Sequence, residues 1–244
     1  MDAPEPIARE APPLPGRAVA SQRWSELAFV HWRVESALVA PLLPPGVVPD
    51  EFDGSSWVGL IPFVLDRATI AGSPPIPYFG SFVEVNVRLY ALDSTGRRGV
   101  VFVSLEASRL AAVLAARAVF ALPYQWSSTR VDNVGDKWRY RSTRHLAGGV
   151  RSDIQVTRLS QPAHGELVDF LTARWGLFTR RAGRTIFLPN EHPPWEVFEA
   201  RLDALDDSLL AWAGFSHLSA RAPDSVLWSP GVTTRFGSGS RVVE

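Results

Sequence analysis

The amino-acid sequence predicts an α+β domain in which a mainly antiparallel β-sheet curls into a barrel with a few flanking helices. About nine or ten segments show the period-two alternation of strands, and most follow one another through short turns, as in antiparallel sheets. The 3.6-residue period of a longer amphipathic helix is clear in a few segments only. Together these observations favour one sheet-dominated domain over an α/β or all-helical fold.

The order of the elements follows from the same patterns. In 57–67, Pro62 has no N–H to donate and therefore requires an edge or a bulge. Ser108 is a plausible N-cap for the clearest helix, which ends before Pro123. Strands are predicted at 24–34, 57–67, 83–92, 99–107, about 125–132, 137–145, 151–159, 184–188, 195–205 and 225–228. Helices are predicted at 35–43, 108–120, 166–175 and 207–212.

The chain divides into a central domain and two tails. Residues 1–17 contain five prolines and little periodic hydrophobicity, so we expect 1–20 to be a disordered tail. No internal repeat or long linker interrupts residues 21–234, which we expect to form a single domain. The last residues, 235–244, are expected to be a loose C-terminal tail.

Composition excludes several classes of function. The 244 residues carry a formal net charge of zero and no cysteine, which excludes disulfides and thiolate catalysis and gives no reason to expect a nucleic-acid partner. We expect a cytoplasmic protein, because neither a secretory signal nor an apolar segment long enough to cross a membrane is visible. A near-neutral surface also removes one barrier to self-association, so a homo-oligomer is expected.

The most informative segment is the predicted strand at 82–90, FVEVNVRLY. Its alternation places Val83, Val85, Val87 and Leu89 on one face and Glu84, Asn86, Arg88 and Tyr90 on the other. An acid, an amide, a guanidinium and a phenol in one row can hold a small polar ligand, although a solvated sheet face has the same pattern. If the row is interior, either Arg88 binds an anion while Glu84 moves a proton, or the two form a structural salt bridge.

Other candidate residues surround this row in the predicted fold. Tyr124 stands at the junction of helix and strand, where it can donate to an oxyanion or anchor the helix end. His192 and Trp195 belong to a rigid proline-rich loop that is either a pocket rim or a packed turn. The register of the returning strand decides whether Ser104 and Glu106 share the face of Glu84. With Asn86 and Arg117, the residues Ser104, Glu106, His192 and Trp195 are the candidate substrate-binding positions.

Common catalytic motifs are missing from the sequence. No pair of its five histidines has the spacing of a two-histidine metal site, and no nucleophile elbow, Walker loop or dinucleotide fingerprint occurs. We therefore predict no metal and no cofactor. All but one of the 25 basic residues are arginine, and the exception, Lys137, follows a turn next to Asp136. There it should be solvated and charged, unlike a Schiff-base lysine.

Several ordered blocks of the sequence resemble one bacterial family. They are FVHWRV (29–34), LLPPGVVPDEFDGSSWVGLIPF (42–63), FVEVNVRLY (82–90), GVVFVSLEASRLAAVLAARAVFALPY (99–124), GELVDFLTARWGLF (165–178), EHPPWEV (191–197) and LWSPGV (227–232). These blocks, over about residues 22–232, are similar to the DUF2071 (YqjF-like) family, which has no settled biochemical function. The resemblance implies an acetoacetate decarboxylase-like fold, a cone-shaped antiparallel barrel with a central pocket, often in an oligomer.

The resemblance also implies roles for particular residues. Glu84 looks like the pocket glutamate of the decarboxylase superfamily. In those enzymes the segment after the helix reads Gly-Tyr-Pro-Lys and its lysine forms the Schiff base, whereas the corresponding residues here, 122–126, include no lysine. Amine-dependent decarboxylation is therefore not expected. Glu191 replaces a histidine expected in many relatives, which weakens a metal site built on a histidine pair.

Three functional hypotheses remain open at the level of sequence. The first is a lyase, isomerase or cyclase that acts by lysine-independent acid–base chemistry on a small carbonyl or carboxylate metabolite, with Glu84 as base, Arg88 as anion holder and Tyr124 as acid or oxyanion donor. The second is a non-catalytic ligand-binding or sensor module. The third is a structural oligomer whose interior polar row is a sealed salt-bridge network without a ligand.

Overall fold

A computed structural model describes residues 2–70, 72–75, 80–146 and 148–243. In this part of the chain thirteen strands form one sheet, accompanied by four short helices. The strands are β1 (Ala20–Val34), β2 (Val47–Pro49), β3 (Ser56–Ile70), β4 (Phe82–Asp93), β5 (Arg98–Ala107), β6 (Tyr124–Val134), β7 (Lys137–Arg144), β8 (Arg151–Pro162), β9 (Gly176–Arg181), β10 (Arg184–Glu191), β11 (Phe198–Asp207), β12 (Ser225–Phe236) and β13 (Ser240–Arg241). The helices are α1 (Ser36–Val39), α2 (Leu110–Phe120), α3 (Glu166–Thr172) and α4 (Leu209–Trp212).

The sheet is ring-like and mainly antiparallel, which confirms the predicted α+β class. Its strand order is β13-β10-β9-β5-β6-β7-β8-β11-β12-β1-β3-β4-β2, and two further pairings, β10 with β12 and β5 with β4, link distant parts of that order. Strand β5 runs parallel to both β6 and β9, whereas the other pairings are antiparallel. These links give the sheet an inner surface on which side chains from many strands meet.

The long strand β3 contains the predicted proline irregularity. Pairing between β1 and β3 shifts register between Ser25 and Val30, and Pro62 lies in the irregular stretch opposite. Glu26, within the same stretch, has φ of 51°, a left-handed conformation that is uncommon for a residue other than glycine. The bulge therefore accommodates a proline that cannot donate a ladder hydrogen bond, as the sequence requires.

Strand β4 separates two interiors of the molecule. Val85, Val87 and Leu89 are fully buried in the largest hydrophobic core, together with residues of β1, β3, β7, β8 and α4. The alternate residues, including Glu84 and Asn86, are also buried but point to the other side of the strand. The predicted polar row is therefore interior, and its solvated alternative is excluded.

The helices and some strand ends differ from the predicted bounds. Arg109, not Ser108, precedes the first turn of α2, and no side chain there caps the helix. Helix α3 ends at Thr172, three residues before the predicted end at Trp175, because Ala173 leaves the helical conformation. Strand β12 continues to Phe236, well beyond the predicted end of the last strand at Trp228, because it pairs with β1 along most of its length.

Described residues of both predicted tails, 1–20 and 235–244, contact the sheet. The N-terminal segment has little regular structure before β1, yet the Trp175 indole donates to the Ala8 carbonyl over 2.9 Å and the Arg98 guanidinium to the Glu5 carbonyl over 2.7 Å. At the other end, β13 pairs with β10. Met1 and Glu244 lie outside the described residues. None of the helices described is long and apolar enough to traverse a bilayer.

Candidate functional site

The polar row of β4 opens into an internal cavity of about 80 Å³. Glu84, Asn86 and Arg88 line it, together with Tyr124 at the start of β6 and Arg174 after α3. A single water needs only about 10–15 Å³ on this scale, so the space suits several waters or a small metabolite. Half of the side chains around it are apolar, among them Ile61, Phe63, Phe102, Leu105, Leu177 and Phe236.

Glu84 is a buried carboxyl group with a raised pKa and two hydrogen-bond donors beside it. It is 2% exposed, and its carboxylate accepts hydrogen bonds from the Tyr124 hydroxyl over 2.7 Å and from the Asn86 amide over 3.2 Å. Burial raises the pKa of Glu84 to about 7, while these two hydrogen bonds oppose the rise and the charge of Glu106 adds to it. A carboxyl group with a pKa near neutrality can both accept and return a proton at physiological pH.

Tyr124 is held as a donor toward Glu84. Burial, followed by the nearby Glu84 charge, raises the pKa of the Tyr124 phenol well above its usual value, so the hydroxyl keeps its proton. The parallel pairing of β5 and β6, in which Leu105 lies opposite Tyr124, brings the start of β6 beside β4. The residue predicted at the helix–strand junction therefore contacts the predicted base directly.

Arg88 is fixed at the same wall without a carboxylate partner among the described residues. Its guanidinium donates to the Tyr90 hydroxyl over 3.0 Å and to the Leu171 carbonyl over 2.9 Å, and it lies 5.5 Å from the ring centre of Phe29. No ion pair joins Arg88 to Glu84 in this part of the chain, so the alternative of a mutual salt bridge does not apply to it. The charge of Arg88 remains available to an anion in the cavity.

A second arginine, Arg174, lines the same cavity. Both guanidiniums pack against Tyr90, with carbon-to-ring-centre distances of 5.4 Å for Arg88 and 4.7 Å for Arg174. Arg174 is 5% exposed and pairs with Asp50 over 2.5 Å, and Asp50 also pairs with Arg98 over 2.5 Å. Two guanidiniums share this one carboxylate, so the cluster keeps an excess of positive charge beside the cavity.

Neutral side chains also line the cavity. Burial lowers the pKa of His192 to about 4, so its imidazole is uncharged at neutral pH. Its ring centre lies 4.5 Å from that of Trp175 and 4.8 Å from that of Trp195, and the Trp195 indole donates to the Thr172 carbonyl over 3.0 Å. Both His192 and Trp195 line the cavity, as their candidate role requires, and they act there as an aromatic wall.

The structure does not bring Ser104 and Glu106 to the cavity. Val85 lies opposite Glu106 and Val87 opposite Ser104, and residues directly opposite in a sheet share a face. Ser104 and Glu106 therefore point to the side away from Glu84. They form a buried cluster in which the Arg144 guanidinium donates to the Glu106 carboxylate over 2.7 Å.

Arg117, the remaining sequence candidate, is also away from the cavity. It lies exposed on α2, a helix of which Val113 alone is buried. Arg117, a candidate substrate-binding residue, is therefore not among the described residues that line the cavity.

Sequence reasoning missed most of the other lining residues, among them Trp24, Arg174 and Asn190. Arg174 had a visible signal, since it is the one charged residue in the apolar stretch 170–178, and a charge within a buried stretch needs a partner or a function. Trp24 and Asn190 belong to strands far apart in the chain and carry no comparable signal. Only the closure of the sheet places them near β4.

The cavity contains no amine for Schiff-base chemistry. Lys137 is exposed at the start of β7, and none of the described residues around the cavity is a lysine. Within the same described ranges, no three His, Cys, Asp or Glu side chains are grouped as metal ligands. The ionisable groups that line the cavity are the Glu84 carboxyl, the Tyr124 phenol, the His192 imidazole and the guanidiniums of Arg88 and Arg174.

Comparison with solved structures shows the acetoacetate decarboxylase-like fold. An acetoacetate decarboxylase-like enzyme from Sphingomonas wittichii RW1 superposes with a TM-score of 0.66 at 12% identity, over 93% of this chain and 94% of that one. Acetoacetate decarboxylase from Legionella pneumophila gives a TM-score of 0.63 at 15% identity, over 100% and 92%. The enduracididine biosynthesis enzyme MppR, complexed with pyruvate, gives 0.62 at 15% identity, over 94% and 92%.

Comparison of sequences shows the family. Uncharacterized protein YqjF from Bacillus subtilis (strain 168) is 30% identical over 185 residues, which are 75% of this chain and 76% of that protein. The model of DUF2071, described as an uncharacterized conserved protein, matches residues 21–233. The chain therefore belongs to the DUF2071 family and has an acetoacetate decarboxylase-like fold.

Proposed function

We propose that this protein is an enzyme that acts on a small carboxylate-bearing metabolite by acid–base chemistry, without a Schiff base. One observation carries the proposal: Glu84, buried with a pKa of about 7, shares a cavity with two arginines and no lysine. A carboxyl group tuned to neutrality beside anion-binding groups is typical of a catalytic base. The reaction class is enolisation, dehydration, isomerisation or cyclisation.

The groups around the cavity have complementary roles in such a reaction. Arg88 holds the carboxylate of the substrate, which orients the neighbouring carbon toward Glu84. Glu84 accepts a proton, and its protonated form can then donate to the Tyr124 oxygen. The Tyr124 hydroxyl then no longer donates to Glu84, so it can donate to the oxyanion that develops on the substrate.

A structure with the same fold supports a small carboxylate as the ligand. MppR has been observed in a complex with pyruvate, a three-carbon oxo acid, and its fold is shared by this chain. At 15% identity the likeness concerns the fold alone, so the choice of ligand here depends on the residues of this cavity. Among the described residues, neither Glu84 nor Arg88 has an ion-pair partner, which disfavours a sealed salt-bridge network.

A thermal-shift screen tests whether Arg88 binds an anionic ligand. A panel of small oxo acids, hydroxy acids and enolisable ketones is expected to include ligands that raise Tm. At 100 times its Kd, a ligand adds about 2.7 kcal/mol, or roughly 5–10 °C for a chain of this size. The shift should vanish in Arg88→Ala. A shift of equal size in Arg88→Ala would place the ligand elsewhere.

Turnover of the identified ligand tests the role of Glu84. Glu84→Gln keeps the size of the side chain but cannot take up a proton, so kcat is expected to fall at least about 100-fold while Kd changes little. Glu196→Gln, which removes an exposed carboxylate, is the matched control and should keep full activity. If Glu84→Gln weakens binding and kcat in equal measure, Glu84 is a binding residue. Binding without turnover in the wild type supports a sensor module.

Self-association is a further part of the proposal. The formal net charge is zero, and α2 exposes three large apolar side chains, with Leu110 42%, Leu114 57% and Val119 50% exposed. Such a face is a candidate contact between copies. Light scattering after size exclusion is expected to give a molecular mass that is a multiple of 26.8 kDa. The Leu114→Glu substitution is expected to lower this mass. A monomeric wild type contradicts this part.

A further inference from the structure

The cavity contains buried hydrogen-bond acceptors that the protein leaves unused. Within the described residues, neither Asn86 Oδ1 nor Asn190 Oδ1 has a hydrogen-bond partner, although Asn86 is 3% and Asn190 6% exposed. An unsatisfied buried acceptor costs about 1–3 kcal/mol. Because both residues line the cavity, this cost is recovered if an occupant donates hydrogen bonds to them.

The orientation of the Asn86 amide follows from its neighbour. Its Nδ2 donates to Glu84 Oε1 over 3.2 Å, and in its ionised form the Glu84 carboxylate can only accept. The amide therefore keeps its N–H groups toward Glu84 and presents its oxygen elsewhere. This places an acceptor between the base, Glu84, and the anion holder, Arg88, along the same face of β4.

Donors at the same cavity are also unused. Arg174 Nη2 and Trp24 Nε1 have no hydrogen-bond partner among the residues described, and Arg174 shares its one carboxylate, Asp50, with Arg98. The unmet donors and the excess positive charge call for an acceptor that is itself an anion. A carboxylate meets both demands because it accepts several hydrogen bonds and carries a charge.

We propose that the ligand of this cavity is a hydroxy acid, in which the carboxylate binds Arg88 and Arg174 and the hydroxyl donates to Asn86. This inference builds on the proposed function and specifies its substrate class. An oxo acid of the same skeleton satisfies the arginines but has no donor for Asn86. An amino acid has a donor, but its ammonium group would stand close to two incompletely neutralised guanidiniums, so a hydroxyl is favoured.

The remainder of the ligand is apolar and short. Phe63, Phe102 and Leu105 line the cavity, and its volume of about 80 Å³ leaves no room for a long chain. A side chain of a few carbon atoms therefore fits better than a second carboxylate or a phosphate group. A second carboxylate would also lie near Glu84, whose burial already disfavours negative charge.

Calorimetric titration with matched pairs tests the proposal. The probes are lactate against pyruvate and 2-hydroxyisovalerate against 2-oxoisovalerate. In the wild type each hydroxy acid is expected to bind at least about tenfold more tightly than its oxo partner. In Asn86→Leu, which is similar in size and has no acceptor, the preference should fall below about twofold while the oxo acid keeps its affinity. Asn86→Ala, which also lacks the acceptor, is the second variant and replaces Asn86→Leu if that protein does not fold.

The outcomes separate this inference from the proposed function. Equal or tighter binding of the oxo acids, a preference retained in both variants, or no binding of any hydroxy acid overturns the hydroxy-acid assignment. Conversion of an oxo acid that depends on Glu84 keeps the proposed enzyme and refutes only its substrate class. Preferred binding of a hydroxy acid that remains unchanged on long incubation keeps the recognition and refutes the enzyme.

Discussion

Arg144→Met is expected to destabilise the protein by about 3–5 kcal/mol, because it leaves the Glu106 carboxylate buried without its counter-charge. The side chains of Arg144 and Glu106 are each 2% exposed. Arg144 Nε donates to Glu106 Oε2 over 2.9 Å and its Nη2 to Ser104 Oγ over 2.8 Å. Methionine replaces most of the arginine volume and leaves little empty space. The loss of stability therefore measures the broken ion pair.

The same cluster ties three strands together beside the candidate site. Ser127, on β6, donates to Glu106 Oε2 over 2.6 Å, and Arg144 reaches Glu106 from the end of β7. Neither β6 nor β7 follows β5 directly, because α2 intervenes. The cluster thus holds β6, which carries Tyr124, against β5, and we infer that Ser104 and Glu106 serve the fold of the site from outside the cavity.

Chemical denaturation with a matched ion pair checks this result. Arg139 pairs with Asp153 over 2.5 Å on the neighbouring surface, with side chains 47% and 24% exposed, so Arg139→Met should cost no more than about 1 kcal/mol. Adding Glu106→Gln to Arg144→Met should restore part of the lost stability, since the buried charge is then gone. If Arg144→Met costs no more than Arg139→Met, the cluster does not stabilise the fold.

The sequence was sufficient to find the polar face of β4 that lines the cavity, but not its surroundings. Strict alternation identifies Glu84, Asn86 and Arg88 as one row, because period two is a local property of a strand. Which face Ser104 and Glu106 occupy depends on the pairing of β5 with β4, and that register shifts near Val87. No local pattern reveals such an irregularity, and one residue of slip exchanges the two faces of a strand.

The residues that complete the cavity depend on closure of the sheet. Arg174 follows α3 and Asn190 lies near the end of β10, and both reach β4 only because β9 pairs with β5 and β10 with β12. The parallel pairing of β5 with β9 joins segments about 75 residues apart in sequence, which no periodicity encodes. The cavity position of Glu84 could therefore be predicted from one strand, whereas the unused acceptors and donors required the three-dimensional structure.

Glu84→Gln is expected to increase stability at pH 8, although it abolishes the proposed chemistry. Burial raises the pKa of Glu84 from 4.5 to about 7, so the folded state binds its proton more tightly than the unfolded state does. This contribution is fully present below about pH 4.5 and is lost as the pH rises through 7. The loss amounts to about 3 kcal/mol for one buried carboxyl. Glutamine is neutral at every pH, so the Glu84→Gln variant does not lose this stability.

Denaturation curves of both proteins from pH 4 to pH 8 test this expectation. The difference in unfolding free energy should be small near pH 4 and should grow in favour of Glu84→Gln up to about pH 7.5, then level off. Glu196→Gln should follow the wild type throughout, because its carboxyl is exposed. A difference that does not vary with pH would mean that Glu84 titrates as in the unfolded chain. Glu84 would then be ionised throughout the neutral pH range, which would contradict the proposal that it is a base with a pKa near neutrality.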